Sequence, residues 1–265
     1  MLDRLEPIEF LQQSPTGKTQ PAFVICHDEA GEEVAIVLKL SGRSERGVTG
    51  LAMEAFTAAT AAALGLRVPQ PFAVNLPADW IAAVAVADPA WAAIARGSVP
   101  VGYGSRRMHD GFAAWVSGTR VSEAAKAMAG GILLFDAVAK NADRRPENPN
   151  CLSYGDDVRI IDHELCFPEF LLSVGDAWSV GGLQALSTPN WHIFSDALRG
   201  QQLEWGPTVD AWGGLSDDML SDYGAALPAE WSAAQPVISR AIDRIKFARD
   251  NIEGCVAEVQ RVLTC

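Results

Sequence analysis

The sequence predicts an α+β fold, with a small antiparallel sheet and one helix in its N-terminal part and mainly helices in its C-terminal part. The sheet is predicted by three short apolar segments separated by turn residues, at 8–13, 21–26 and 34–40. The helical part is predicted by apolar residues that recur at helical intervals, such as Ile238, Ile242, Ile245 and Ile252. We expect two domains, residues 1–104 and residues 105–265.

The turn between the first two predicted strands contains Gly17, Lys18 and Thr19. These residues offer backbone N–H groups, a cation and a hydroxyl, which together can contact a phosphate group. An ordinary hairpin turn explains the same residues equally well. The two interpretations stay open, and we carry Gly17, Lys18 and Thr19 as candidate nucleotide contacts.

The third predicted strand carries Lys39 near the end of the apolar run 34–40. A lysine inside such a run is costly to bury unless it is paired. Glu54, in the predicted helix that follows, offers the pair. In kinases a strand lysine held by a helix glutamate contacts the phosphates of ATP. We therefore predict these roles for Lys39 and Glu54, against the alternative of a snorkelling lysine and a solvated glutamate.

After Pro100 the chain continues as a short apolar segment with two glycines, residues 101–105. This composition is typical of a hinge between two lobes. We expect the adenine of a bound nucleotide to lie near the backbone of this segment, at Tyr103.

The segment from Asn141 to Glu164 is the most informative part of the sequence. Asp143 is followed five residues later by Asn148, and Asp162 ends an apolar run fourteen residues after Asn148. Phosphoryl transfer needs one carboxylate at the acceptor hydroxyl, and an oxygen ligand with a second carboxylate to hold Mg²⁺ against the phosphates. Asp143, Asn148 and Asp162 fit these roles in that order, although clusters of Asn, Asp and Pro also form ordinary turns.

Two short strands are predicted between Asn148 and Asp162, at residues 151–154 and 158–161, with a turn at 155–157. In such a hairpin the residue that enters the first strand and the residue that leaves the second lie at the same end. We therefore expect Asn148 and Asp162 to converge on one metal ion. Asp136, in the helix before this segment, is expected to be a buried carboxylate that bonds to the loop backbone.

The chain resembles the HipA-like kinases in a series of residues that occur in the same order. The series is Lys39, Glu54, residues 64–71, residues 135–136 and the segment from Asn141 to His163. The resemblance covers about residues 17 to 170. It implies a two-lobed protein-kinase-like fold with an N-lobe at 1–104 and a C-lobe at 105–265, and use of ATP and Mg²⁺. It further implies Lys39 on the ATP phosphates, Glu54 as its partner, Asp143 as catalytic base, and Asn148 and Asp162 as metal ligands. The expected acceptor is a Ser or Thr hydroxyl of a protein, and an antitoxin-like regulator is a candidate partner.

Other functions stay open beside this one. Small-molecule kinases of the aminoglycoside-phosphotransferase or choline-kinase type share the spacing of Asp143 and Asn148, but usually have His where this chain has Asn141. A nucleotide-binding pseudokinase is a further alternative, opposed by the intact Lys39, Asp143, Asn148 and Asp162. Glu164 stands where kinases often have Gly, two residues after the metal-binding Asp.

Composition is consistent with a cytoplasmic enzyme. The net charge of −12 opposes binding to nucleic acid. No basic amphipathic helix suggests contact with a membrane, and the apolar stretch at 80–95 is interrupted by Asp88 and Pro89. Five cysteines without a paired spacing indicate reduced thiols in a cytosol.

Because an acidic protein that binds ATP must concentrate its positive charge locally, we also consider Lys18, Lys39, Arg144 and Arg145 as phosphate contacts.

Overall fold

The computed structural model of the chain describes residues 2–15, 17–168 and 175–264. Helices and strands occur together, as the predicted α+β class requires. The chain divides into two compact units. The first unit comprises Met1–Ala59, Pro69–His109 and Asp222–Ile238, and the second comprises Thr60–Val68, Asp110–Ser221 and Ser239–Cys265. The predicted boundary after residue 104 stays a prediction.

The sheet of the first unit is a closed five-stranded barrel, with its strands in the order β1-β2-β3-β5-β4. The strands are β1 (Arg4–Gln13), β2 (Ala22–His27), β3 (Glu33–Lys39), β4 (Pro71–Asn75) and β5 (Val101–Arg106). The sequence predicted a small antiparallel sheet, and this was only partly right. β1 begins at Arg4 rather than Ile8, and its first residues pair in parallel with β4, at Arg4 with Ala73 and Leu5 with Val74. This parallel contact closes the barrel.

The barrel interior follows from the alternation of side chains along its strands. In β2 and β3 the buried apolar residues alternate with less buried ones, and this buried apolar set consists of Ala22, Val24, Cys26, Val34, Ile36 and Leu38. Helices α2 (Ala78–Ala87) and α3 (Pro89–Arg96) pack their tryptophans against this core. The side chain of Asp88 accepts a hydrogen bond from the Trp91 N–H at 2.9 Å and caps α3. The interruption of the apolar stretch at 80–95 is therefore a helix boundary, where Asp88 separates the two helices and Pro89 begins the second.

Helix α1 (Val48–Ala63) connects β3 to β4. Most of its residues are buried, including polar Glu54, Thr57 and Thr60. A helix that is buried on most of its surface places its charged residue inside the protein, so Glu54 requires a partner there.

In the second unit, helix α4 (Lys126–Ala139) leads into the segment that carries Asp143. A small sheet of β6 (Ala113–Ala114), β7 (Cys151–Tyr154) and β8 (Asp157–Ile160) follows the order β6-β7-β8. β7 and β8 pair as the predicted hairpin, with Cys151 opposite Ile160 and Tyr154 opposite Asp157. The later helices of the described chain are α5 (Ser195–Leu198), α6 (Gly206–Gly213), α7 (Asp217–Ala225), α8 (Gln235–Asp250) and α9 (Ile252–Thr264). The end of α7 and the start of α8 belong to the first unit.

Within the described ranges, short 3-10 helices lie at Glu123–Ala125, Gln184–Ser187 and Ala229–Ala234. The predicted helical periodicity from Ile238 to Leu263 corresponds to α8 and α9, which are separated at Asn251. Among the described residues, no helix combines the length and the apolar character needed to cross a membrane.

Candidate active site

Lys39 and Glu54 form a buried ion pair in the first unit. Lys39 is the last residue of β3 and is 8% exposed, while Glu54 lies in α1 and is 1% exposed. The lysine ammonium donates a hydrogen bond to the glutamate carboxylate. The pairing that the sequence predicted is present, and it satisfies two charges that would each be costly to bury alone. Contact of Lys39 with nucleotide phosphates stays a prediction.

Tyr103 lies in β5, between β3 and β4, and not in a hinge. It stands opposite Lys39 on one side and Ala73 on the other. The glycines beside it are explained by packing, because a Cβ on Gly102 would lie 2.8 Å from Leu38 and one on Gly104 would lie 2.7 Å from Val74. The hinge that the sequence predicted at 101–105 is therefore a barrel strand. The role of Tyr103 near adenine stays a prediction.

Gly17, Lys18 and Thr19 lie in the connection between β1 and β2. Gly17 has a φ of 101° and its carbonyl accepts a hydrogen bond from the Gln20 N–H at 3.2 Å. Gly17 and Lys18 are exposed, whereas Thr19 is buried. Hairpin-turn geometry accounts for the glycine, so contact of these residues with phosphate stays a prediction.

Asp143, in the second unit, is held by the asparagines around it. One of its carboxylate oxygens accepts hydrogen bonds from the amides of Asn148 at 2.8 Å and Asn150 at 3.0 Å. Its backbone N–H donates to the side-chain oxygen of Asn141 at 3.1 Å. Arg145 lies 3.6 Å from its second carboxylate oxygen. The structure thus brings together Asp143 and Asn148, and adds Asn150, which the sequence did not single out.

A buried network lies beneath this loop and is centred on Asp136 of α4. Its carboxylate accepts hydrogen bonds from Arg144 at 2.5 Å and from the Asn141 amide at 2.9 Å, and lies 3.0 Å from His192 Nε2. Burial alone would raise the pKa of Asp136, but the charge of Arg144 and the bond with His192 outweigh burial and hold that pKa below its ordinary value. Asp136 is buried as expected, with side-chain partners that include a full positive charge.

Arg144 is fully buried and ties the loop to the hairpin. Besides Asp136, its guanidinium donates to the carbonyl of Asn150 and to that of Ile161 at 3.3 Å. Its suggested role as a phosphate contact is therefore wrong, because the guanidinium is enclosed and each of its three nitrogens already donates within the protein. Arg145, whose side chain is 52% exposed, remains accessible.

His192 is buried between Asp136 and the backbone of Phe194, and burial favours its neutral form. Its Nδ1 accepts a hydrogen bond from the Phe194 N–H at 3.2 Å, so Nε2 is the atom that carries the proton and faces Asp136. A second proton would have to displace the Phe194 contact inside the protein. Burial accordingly lowers the pKa of His192 despite the neighbouring carboxylate of Asp136.

Asp162 follows β8 with a φ of 60°, in the left-handed region that Asp and Asn adopt more readily than other non-glycine residues. The N–H of Ile161 donates to the carbonyl of Asn150 at 3.0 Å, so the segment that enters β7 and the segment that leaves β8 meet at one end of the hairpin. A carboxylate oxygen of Asp162 also lies within 4.8 Å of one from Glu164, which is 3% exposed. Convergence of Asn148 and Asp162 on one metal ion stays a prediction.

Three residues of this region were missed by the sequence interpretation. Asn150 has a φ of 43° and resembled an ordinary turn residue. His192 is separated from Asp136 by 56 positions, and no local pattern joins them. Glu164 was noted only as a departure from glycine, although its burial beside Asp162 makes it a candidate oxygen ligand.

Comparison with models of protein families matches residues 8–259 to the family described as HipA-like kinase. The match spans nearly the whole chain and includes each of the candidate residues from Gly17 to Asp162. Neither a curated protein nor a solved structure matches the chain.

Proposed function

Because this chain belongs to the HipA-like kinase family, we propose that it transfers the γ-phosphoryl group of ATP, with Mg²⁺, to a serine or threonine hydroxyl of a protein. The proposal includes the kinase-like fold and the two lobes, 1–104 and 105–265, that the resemblance implies. Family membership supports a phosphotransferase, and the site residues support the more specific assignment.

The single observation that carries the proposal is the way in which Asp143 is held. Two amides, from Asn148 and Asn150, donate to one carboxylate oxygen, which fixes the direction of the carboxylate. The group is partly exposed, at 21% of its side chain. A general base needs both a fixed direction and access to the proton that it receives.

In the proposed reaction Asp143 accepts the proton of the acceptor hydroxyl. The hydroxyl oxygen forms a bond to the γ-phosphorus, and the bond from that phosphorus to the β,γ-bridging oxygen breaks. ADP leaves with the bridging oxygen and its electron pair, so that the products are ADP, a phosphate ester and a proton on Asp143. Such a transfer depends mainly on positioning and electrostatics.

The chain offers ligands that suit Mg²⁺. Mg²⁺ prefers carboxylate and carbonyl oxygens, and Asp162, Glu164 and the side-chain oxygen of Asn148 are of this kind. The amide nitrogen of Asn148 is directed to Asp143, which leaves the oxygen of the same amide for another contact. We propose that Asn148 and Asp162 hold the metal and that Glu164 assists. When bound, Mg²⁺ neutralises charge on the phosphates.

In the first unit we assign Lys39 to the phosphates of ATP, with Glu54 as the residue that orients it. The ion pair supports this assignment because it holds the ammonium group at the end of β3 in one position. Gly17, Lys18 and Thr19 are proposed as further phosphate contacts, and Tyr103 as a residue near the adenine.

The proposal is tested with radiolabelled ATP, Mg²⁺ and purified protein, by following ATP hydrolysis and label transfer to proteins of a cell extract. The variant Asp143→Asn should lose transfer while ATP still raises its thermal midpoint, because the base is removed and the nucleotide contacts remain. The matched control is Asp210→Asn, which makes the same change at an exposed position of α6.

Equal transfer by the parent and Asp143→Asn would remove Asp143 from its proposed role. Nucleotide binding without any turnover would favour the pseudokinase. Transfer to small amino or hydroxyl compounds, with none to proteins, would favour the small-molecule kinase. If ATP affinity is the same with and without Mg²⁺, the metal assignment is contradicted.

A further inference from the structure

The second unit contains a polar cavity of about 490 Å³. None of the residues that the proposed function uses lines this cavity. Its lining comes from residues within 117–126 and 190–201, together with Pro146. Pockets that take small ligands or peptide side chains typically enclose about 300–1,000 Å³, so the size is suitable for a substrate.

The cavity adjoins the loop that carries Asp143. Pro146, in its lining, lies within that loop, between Asp143 and Asn148. On the other side, the N–H of Ile193 donates to the carbonyl of Arg144 at 3.3 Å, and Ile193 also lines the cavity. The wall of the cavity is therefore bonded directly to the residue that follows Asp143.

The charges in the lining are not equally available. Lys126 donates to Glu123 at 2.6 Å and to Gln201 at 2.9 Å. Asp196 accepts from Arg199 at 3.1 Å and from the Asn190 N–H at 2.8 Å. Both carboxylates and the lysine are thus already engaged.

Arg120 differs from these residues. It is exposed in the lining, and no hydrogen bond or ion pair holds it within the part of the chain that the structure describes. Burial favours the neutral form of His192, so this residue adds no charge to the lining. Among the described lining residues, Arg120 is therefore the charged residue that has no counter-charge. A ligand with a negatively charged group would supply that counter-charge.

The lining also argues against cationic acceptors. Amino sugars and quaternary ammonium compounds are bound by carboxylates that are free or by the faces of Trp, Tyr and Phe. Among the described residues that line the cavity there is no Trp, Tyr or Phe, and both carboxylates are paired. The lining also contains serine, threonine and amide side chains, which suit the N–H and C=O groups of a peptide.

We propose that this cavity binds the acceptor, as a peptide segment that has an acidic side chain close to the phosphorylated serine or threonine, with Arg120 contacting the acid. The inference rests on the proposed kinase function and adds to it a substrate class and a binding site. Arg120 acts in acceptor recognition and not in the chemical step.

The test uses a library of synthetic peptides with a central serine or threonine and one varied position in each pool, phosphorylated by the full-length protein with Mg²⁺ and labelled ATP. The parent should prefer pools with Asp or Glu. In Arg120→Glu, KM for the best acidic peptide should rise about tenfold, with a smaller change in kcat. A tenfold rise corresponds to the lower end of the free energy that one charge-assisted hydrogen bond contributes at an exposed site. The preference should also move to Lys or Arg.

Two further variants separate charge from shape and from folding. Arg96→Glu makes the same charge change at an exposed position of α3, outside the cavity, and should keep the kinetic constants and the acidic preference of the parent. Ala197→Trp places a large uncharged group in the lining and should lose peptide phosphorylation. The thermal midpoint with ATP establishes that each variant is folded.

The outcomes are distinct. An unchanged KM and preference in Arg120→Glu, or undiminished phosphorylation by Ala197→Trp, overturns the inference. ATP hydrolysis without phosphorylation of any peptide also overturns it, while the proposed phosphotransferase survives. Absence of all ATP turnover in the parent contradicts the proposed function, and the inference is contradicted with it.

Discussion

The side-chain amide of Asn150 donates a 3.0 Å hydrogen bond to the carboxylate of Asp143. Asn150 lies at the entrance to β7, outside the spacing of Asp143 and Asn148 that first indicated phosphoryl transfer. Its carbonyl accepts hydrogen bonds from Arg144 and from the Ile161 N–H. One residue thus joins the loop of Asp143 to both strands of the hairpin, which makes it a positioning residue for the proposed base.

Replacement of Asn150 should separate positioning from stability. In Asn150→Gly the amide is lost but the φ of 43° is tolerated, so we expect kcat to fall about 10- to 100-fold with a small loss of stability. Asn150→Ala should lose activity to a similar extent. Its free energy of unfolding should be about 1–2 kcal/mol lower than that of the glycine variant, because alanine is strained at this φ. Steady-state kinetics and urea denaturation measure the two effects. A parent-like kcat in Asn150→Gly would show that Asp143 does not depend on this amide.

Neighbouring arginines provide a second matched comparison. Arg144 is fully buried against Asp136, whereas the side chain of Arg145 is 52% exposed. Arg144→Met leaves a carboxylate buried without its main counter-charge and should cost about 3–5 kcal/mol in the free energy of unfolding. Arg145→Met should cost less than about 0.5 kcal/mol. Urea denaturation followed by circular dichroism tests both, and similar losses in the two variants would contradict the buried network.

The features that were predictable from sequence depend on short or familiar spacings. Lys39 and Glu54 could be paired because a strand lysine and a helix glutamate fifteen positions later form a known arrangement. The hairpin of β7 and β8 was predictable because its turn is local. Closure of the barrel was not, because it depends on two residues of β1 that pair with a strand almost seventy positions away.

The glycines of β5 show a different limit. A sequence pattern of apolar residues and glycines indicated a hinge, but Gly102 and Gly104 are there because the barrel interior leaves no room for a Cβ. The network of Asp136, Arg144 and His192 was hidden for a related reason. Its members are individually ordinary, and only the packing of distant segments brings them into contact.

The ion pair of Lys39 and Glu54 predicts a further difference between stability and function. Lys39→Met should lower the free energy of unfolding by about 3–5 kcal/mol, because Glu54 stays buried without the positive charge of Lys39. The double variant Lys39→Met/Glu54→Leu removes both charges and should recover most of this loss. If Lys39 binds the phosphates, the thermal shift produced by ATP should remain low in the double variant. A normal ATP shift there would make the pair purely structural.

His192 and Asp136 predict how stability depends on pH. In the unfolded chain His192 takes up a proton near pH 6.5, whereas burial lowers its pKa in the folded protein. The unfolded state therefore binds more protons in this range, and stability should fall as the pH drops from about 7 to 5. Asp136 also has a lowered folded pKa, so its contribution is present above about pH 4 and is lost as the pH falls below that value.

His192→Gln should remove only the first of these two losses. Glutamine can still donate an N–H to Asp136 but does not titrate, so the urea midpoint of the variant should change less than that of the parent between pH 7 and pH 5. Below about pH 4 the two proteins should lose stability in parallel, because Asp136 titrates in both. The control is His27→Gln in β2, which makes the same substitution at a half-buried position outside the network. If His192→Gln and the parent have the same slope between pH 7 and pH 5, His192 is not the group that makes the folded protein sensitive to acid in this range.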